Sequence, residues 1–215
     1  MIEQDYIMRI ITTLAAFLAR VLLLKQKKDF PRALLEIQTT GRTLLGIDRT
    51  MIRQLRPEEI ARLLGVDPTL SAPKCYVLGV LLSEESEIRR LQGEADEAAW
   101  LDTTALSLLI DAYQKAGEGL EAKHVTLIDT LCHRIPPELL GREQLDKVFR
   151  FYEQIAQFGK AENVLYELLR IDDGYHAEAI RFYERLLSKP DKDLEAGGLP
   201  RDELVEALNS LRKES

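Results

Sequence analysis

Between Ile7 and Leu22 the apolar side chains recur with a helical period. Ile7, Ile10, Ile11, Leu14, Phe17, Leu18, Val21 and Leu22 share one side of a 3.6-residue wheel, and Arg9, Thr12, Thr13, Ala16 and Arg20 take the other. The pattern predicts a long amphipathic helix whose apolar face is wide enough to meet more than one neighbour. A break at Lys28-Asp29 precedes a second helical pattern, Ala33, Leu34, Ile37, Thr40 and Leu44, which stops at Gly46. Two helices across so tight a turn form an antiparallel hairpin. Residues 46–73 are punctuated by Gly46, Pro57, Gly65, Pro68 and Pro73 and read as an irregular connector of short helices and turns. Regular helix is expected again from about Lys74 to Leu91, with a break near Gly93. It then runs from Ala95 through Trp100, Leu106, Leu109 and Ile110 to Ala116, where Gly117 and Gly119 close it. Leu120 to Cys132 supplies the next helix, and Ile135-Pro136-Pro137 forces the chain out of it. No stretch alternates with period two, so the fold class is all-α.

The patterns also repeat. Arg150-Phe151-Tyr152-Glu153 returns as Arg181-Phe182-Tyr183-Glu184, 31 residues later. Ile110 and Tyr113 precede the turn at Gly117 and Ala122 follows it. Phe149 and Tyr152 stand in the same relation to Phe158-Gly159 and Ala161, 39 residues on, and Val21, Leu24, Phe30 and Ala33 fit the frame in the first hairpin. A helix, a turn with small residues and an Ala-led second helix, recurring at 30 to 40 residues, is the sequence form of stacked helical hairpins. At these residues the chain resembles a degenerate tetratricopeptide-like repeat protein over residues 3–45, 100–133 and 142–171, with an atypical C-terminal capping pair at 175–213. The resemblance implies a single helical-repeat domain over 1–215, a tetratricopeptide-like α-solenoid of antiparallel hairpins. The opening Met1-Ile2-Glu3-Gln4-Asp5-Tyr6-Ile7-Met8-Arg9, with Leu44-Leu45-Gly46, is also similar to the start of an uncharacterised bacterial family with no assigned activity. Lys189-Pro190-Asp191-Lys192-Asp193 and Gly197-Gly198-Leu199-Pro200 interrupt the last pair and are expected to form a mobile surface excursion.

Charge sharpens this picture. Of 29 Lys and Arg and 36 Asp and Glu, residues 1–56 hold ten and five, so one third of the chain is +5 and the remainder −12. Such a chain repels phosphate backbones and anionic lipid overall, and a surface alternating in sign for solubility accounts for the pattern. Neither nucleic acid nor membrane is expected as a partner. The acidic N-terminus lacks the charge of a secretory signal, and Arg20 interrupts the apolar run from Ile10 to Leu24, which is short for a bilayer span. Cys75 and Cys132 belong to no C-x-x-C pair and read as reduced thiols, so the expected location is the cytoplasm.

Candidate chemistry is sparse. His124, Cys132 and His133 share one helix, but His124 and His133 point to opposite sides, and no metal site is expected. The sequence has no G-x-S-x-G elbow, phosphate-binding glycine loop or dinucleotide fingerprint, so neither catalysis nor a cofactor is expected. The acidic residues Glu84, Glu85, Glu87, Glu94, Asp96 and Glu97 read as a solvated helix face. Pro57-Glu58-Glu59-Ile60-Ala61-Arg62-Leu63-Leu64-Gly65-Val66, preceded by Arg49, Arg53 and Arg56, has the form of a helix-turn-helix opening and supports an alternative, a DNA-binding regulator using residues 57–73. Against it, Pro68 and Pro73 leave no room for a recognition helix. The expectation is a non-catalytic interaction scaffold that binds a peptide or partner protein on a concave helical surface, with homo-oligomerisation left open. Its expected groove residues are Asp111, Gln114, Arg150, Glu153, Arg181 and Glu184, Arg150 and Arg181 being spaced to hold carboxylates of one ligand. The competing account is that each arginine pairs with an acid on its own surface.

Overall fold

The computed structural model describes residues 2–66, 68–116 and 122–214, and among these the chain is all-helical, with twelve α-helices, two single turns of 3-10 helix and no strand. The chain divides into two compact units, Met1–Ile135 and Pro136–Ser215. No helix among the described residues is long and apolar enough to cross a membrane.

The N-terminal unit holds α1 (Ile2–Gln26), α2 (Phe30–Leu45), α3 (Arg49–Arg53), α4 (Pro57–Leu64), α5 (Pro68–Leu91), α6 (Ala95–Ala116) and α7 (Ala122–Arg134). Its joints follow local chemistry. Asp29 caps α2 by accepting from the Arg32 amide at 3.4 Å, and Gly46, in the left-handed region at φ 68°, ends that helix. The Asp48 carboxylate accepts from the Met51 amide at 3.1 Å to start α3. Glu59 accepts from the Arg56 amide at 2.8 Å to start α4.

The centre of this unit is the antiparallel α5–α6 pair, turned at Gly93. The two backbones run close because small residues meet between them. The Ser86 hydroxyl donates to the Ala98 carbonyl at 3.0 Å, and a Cβ on Gly79 would stand 2.6 Å from Leu109 Cγ. Cys75, Ser86, Ala98 and Ala105 are wholly covered. α1 and α2 pack against α5, α4 packs against both α5 and α6, and α7 packs against α6.

The α1 face is narrower than its pattern suggests. Ile10, Leu14, Phe17 and Val21 are buried, whereas Leu18 is half-buried and Leu22 is 53% exposed. The connector at 46–66 does form short helices, but α5 begins at Pro68 and runs through Pro73, so the two prolines do not exclude a helix there. Pro68 occupies the first helical position, where its missing amide proton has no intrahelical role, and Pro73 forfeits one further bond near the helix start. The Gly117–Gly119 turn expected between α6 and α7 lies outside the described residues.

The C-terminal unit holds α8 (Arg142–Gln154), α9 (Phe158–Ile171), α10 (His176–Leu187), α11 (Asp191–Ala196) and α12 (Arg201–Glu214). The repeated RFYE motif has one burial pattern in both copies: Phe151, Tyr152, Phe182 and Tyr183 are buried, and Arg150 and Arg181 face solvent. Phe149 meets Phe182 edge-on at 5.2 Å between ring centroids.

The stretch 189–200 is not the mobile excursion its composition suggests. It contains α11, and both Leu194 and Leu199 are buried. The Gly159 amide donates to the Gly197 carbonyl at 2.9 Å, a Cβ on Gly159 would stand 2.5 Å from the Gly198 oxygen, and one on Gly197 would stand 2.3 Å from the Phe158 ring. Arg201 also donates to the Leu187 and Lys189 carbonyls at 3.0 and 2.6 Å. The segment is a strap: Gly197 serves close approach, and Gly198, at φ 75°, serves the left-handed backbone of the bend.

Replacing Gly79 by Ala tests the central contact. Helix propensity alone favours Ala by about 1 kcal/mol. Overpacking against Leu109 costs about 1–3 kcal/mol. Thermal unfolding followed by circular dichroism is expected to show a lower Tm for Gly79→Ala. A higher Tm would mean that the helices separate freely at this point.

Candidate functional site

One face of α5, Leu78, Leu81, Leu82, Glu85 and Arg89, is spaced so that two apolar turns are followed by a charged one. Opposite it stands a face of α2, Leu34, Ile37, Gln38 and Gly41, and the link after Gly46 brings Ile47, Arg49 and Ile52 to the same place. These three segments enclose a cleft of about 370 Å³, within the size range of ligand sites. Its lip carries Leu35, 60% exposed. Gln38, Arg49 and Arg89 also line an adjoining polar basin, with Arg53, Glu94 and Glu97.

The charged end of the cleft is a compensated network. The Glu85 side chain is only 6% exposed and takes Arg49 at 2.9 Å and Arg89 at 3.5 Å. Glu97 pairs with both Arg49 and Arg53, and Glu94 accepts two bonds from Arg89, at 3.1 and 3.0 Å. The Arg53 guanidinium lies over the Trp100 ring, 4.9 Å from its centroid, so Trp100 serves a contact within the unit. The Nε–H groups of Arg49 and Arg89 are buried and meet no acceptor. A buried donor left unpaired is unfavourable, which sets these two atoms apart from the satisfied polar groups around them.

The acidic run on α5 and α6 is therefore not a simple solvated face. Beside Glu85 and Glu97, Glu84 and Glu87 accept from Lys25 of α1 at 2.7 and 2.6 Å. Burial alone lowers the Lys25 pKa, but those two hydrogen bonds outweigh it and raise the pKa above its ordinary value. Asp102, 1% exposed, is held by Arg90 of α5 and Arg134 of α7.

The residues expected to line a groove are distributed over both units. Asp111 is half-buried and Gln114 exposed near the end of α6, in the N-terminal unit. In the C-terminal unit Arg150 meets Asp146 at 3.0 Å and Glu178 at 3.8 Å, and Arg181 meets Glu178 at 2.8 Å. Glu153 takes both nitrogens of Arg185 at 2.9 Å, and Glu184 pairs with Arg212 at 2.7 Å. The structure thus brings Arg150, Glu153 and Arg181 into one network centred on Glu178, in which each arginine already has an acid of its own surface. Glu184 belongs to a separate pair.

His124 and His133 serve different neighbours. His124 lies on the Tyr76 ring at 3.9 Å between centroids, and His133 Nδ1 lies 2.7 Å from the Asp129 backbone oxygen. Cys75 and Cys132 are not joined in a disulfide. Among the described residues no three His, Cys, Asp or Glu side chains are grouped to hold a metal ion.

The family of unknown function DUF6483 matches residues 1–215. The chain belongs to that family. This bears out the likeness to an uncharacterised family and brings no activity with it. No curated protein and no solved structure matches the chain. The α2–α3–α5 cleft of this DUF6483 chain was missed in the sequence, although Arg49 and Arg53 drew notice as basic residues. The one local signal was Glu85, an acid within an otherwise apolar and small stretch from Val77 to Ser86 that also holds Glu84.

The Glu178 network has a pH signature. Burial raises the Glu178 pKa, but hydrogen bonds from Arg181 and Arg185 outweigh it and hold the group below its ordinary 4.5. A carboxyl depressed in the folded state contributes stability that is complete above its unfolded pKa and is lost as pH falls through the folded one. Glu178→Gln is expected to lower the Tm at pH 7, and the difference from the unchanged protein should narrow as the pH is taken toward 3. A difference independent of pH would show that shape rather than charge holds the network.

Proposed function

We propose that the protein is a non-catalytic interaction scaffold, assembled from tetratricopeptide-like helical pairs, that works in the cytoplasm and binds a peptide segment of a partner protein in the α2–α3–α5 cleft. The observation that carries this reading is the cleft itself, a concavity of about 370 Å³ with apolar walls from three segments, polar groups converging at one end and an adjoining polar basin. A binding role also agrees with the state of the charges, since Glu85, Glu94, Glu97, Asp102 and Glu178 all stand in ion pairs. The helical-pair reading draws on α1–α2 and α8–α9, each a hairpin across a short turn, and on the common burial of the two RFYE copies.

The cleft is preferred to the Arg150 and Arg181 surface because those guanidiniums already face Asp146 and Glu178. Selection of displayed random peptides against the full chain is the direct test. Selected peptides are expected to lose binding to Leu35→Glu, a change at an exposed position that should leave the fold intact, and to keep it with Arg150→Glu plus Arg181→Glu. The opposite outcome would move the site to the C-terminal unit.

The DNA-binding alternative gains a helix after the α4 turn but not an accessible one. A recognition helix reads the groove with its N-terminal residues, and at the start of α5 Ser71 and Cys75 are buried and Ala72, Pro73, Lys74 and Tyr76 are half-buried. Fluorescence anisotropy with duplex DNA at physiological salt is expected to give weak, sequence-independent binding. Tight binding to one sequence, abolished by Arg62→Ala, would reverse the assignment.

A further inference from the structure

The first helix carries two uncharged seams, and its own chain covers one of them. Ile10, Leu14, Phe17 and Val21 form the inner seam and are buried, and α1 packs against α2 and α5. At about 100° per residue the opposite side of the helix holds Thr12, Ala15, Ala19, Leu22 and Gln26, spaced three, four, three and four residues apart, the interval of a coiled-coil seam. All five are exposed, Leu22 by 53%, and Leu23 beside them is 55% exposed. From Ile10 to Leu24 the one charged side chain is Arg20, and Glu36 of α2 neutralises it. A surface helix ordinarily turns charge toward water, as α12 does with Asp202, Glu203, Glu206, Arg212 and Lys213. A helix apolar on all sides ordinarily has neighbours on all sides.

We infer that the outer seam of α1 packs against α1 of a second copy of this chain, antiparallel, about a two-fold axis between Ala15 and Ala19. The uncovered strip is one helix wide and runs about four turns from Thr12 to Gln26, so it is shaped for another helix. The seam matches itself in size. Antiparallel copies set Ala15 on Ala19 and Leu22 on Thr12, each twice by symmetry, so the small middle residues let the backbones close and the leucines fall on the smaller threonines. Parallel copies set Leu22 on Leu22, which holds the alanines apart and leaves gaps. The charges choose the same direction. In sequence the helix opens with Glu3 and Asp5 and is followed by Lys27 and Lys28, so antiparallel copies bring acid toward base and oppose the helix dipoles, whereas parallel copies bring like to like. A neutral strip gives no hold to a strongly acidic or basic partner. One helix pair falls short of a standard interface of roughly 800 Å² per partner, so the dimer is reversible. None of these residues lines the α2–α3–α5 cleft, and the inference does not depend on it.

The test is analytical ultracentrifugation of the full chain from micromolar to submillimolar concentration. The mass is expected to rise with concentration toward twice the 24.5 kDa of one chain. Ala19→Glu sets two like charges beside the axis and is expected to raise the dissociation constant by about tenfold or more. Leu22→Gln with Leu23→Gln, polar but strongly helix-forming, is expected to do the same, and Leu35→Glu on α2 to leave the dimer unchanged. Helical circular dichroism at low concentration shows that each variant is folded, and the glutamine pair decides the matter if Ala19→Glu is not. For the direction, a nitroxide is placed on Gln26→Cys in a Cys132→Ser chain. Antiparallel copies separate the two labels by about 27 Å along the axis, the rise of eighteen residues, and parallel copies leave them near the roughly 8–10 Å between packed helices. A monomer at every concentration, a dimer that the folded variants retain, or labels at the short distance overturns the inference.

Discussion

The close approach of α5 and α6 is the constraint from which the N-terminal unit is built. Gly79 against Leu109 and Ser86 against the Ala98 carbonyl fix both the distance and the register of the pair. Once the register is set, the outer face of α5 is set too, and α1 and α2 bury their apolar stripes on it, while α4 packs against both helices of the pair. The cleft is a by-product of the same geometry. Its α5 wall is the part of that face turned toward α2 and α3, where Leu78, Leu81 and Leu82 are buried, and Glu85 and Arg89 continue the wall one and two turns further along. A separation of α5 from α6 would thus be felt at the cleft as well as in the core, since packed interiors transmit displacement rather than absorb it.

The uneven charge of the sequence has a physical use within the unit. Lys25, Arg49 and Arg53, from the basic first third, pair with Glu84, Glu87, Glu85 and Glu97 of the acidic α5 and α6. Isolated surface pairs add little to stability. Here several partners are half or more buried, and their contribution is orientation: a misplaced α3 takes Arg49 from Glu85 in a nearly dry site, and a misplaced α1 takes Lys25 from Glu84 and Glu87, and removing one partner of a buried pair is costly. The charges therefore discriminate between docked arrangements that the apolar stripes alone would tolerate. An excess of +5 against −12 over two stretches of one chain is in good part the trace of this internal matching.

What could be read from the sequence was what is decided locally. The α1–α2 break at Lys28-Asp29, the turn at Gly93 and the exit at Ile135-Pro136 each depend on a few adjacent residues, and each lies where the pattern puts it. Pro68 and Pro73 misled because a proline at the first helical position is harmless and one in the second turn, as Pro73 is, costs a bond without ending the helix, and the start of α5 was not itself visible. Residues 189–200 misled because glycine, proline and aspartate serve loops and close contacts alike. Only the structure shows Gly197 against Phe158. The cleft was beyond reach because its walls come from residues 31–41, 47–52 and 78–89, and no local pattern encodes their meeting. Arg150, Arg181 and their acids were legible as residues but not as pairs, since Glu178 lies between them only after α8 and α10 have packed.

The strap at Gly197 and Gly198 ties the segment before α12 to the first turn of α9, across nearly forty residues. During synthesis from the N-terminus, Phe158 and Gly159 emerge from the ribosome well before the backbone that covers them. The α8–α9 hairpin must wait with that aromatic edge open until the last helices arrive, because contacts distant in sequence cannot form ahead of the intervening chain. The C-terminal unit therefore closes this contact only once the chain through Gly198 has been made.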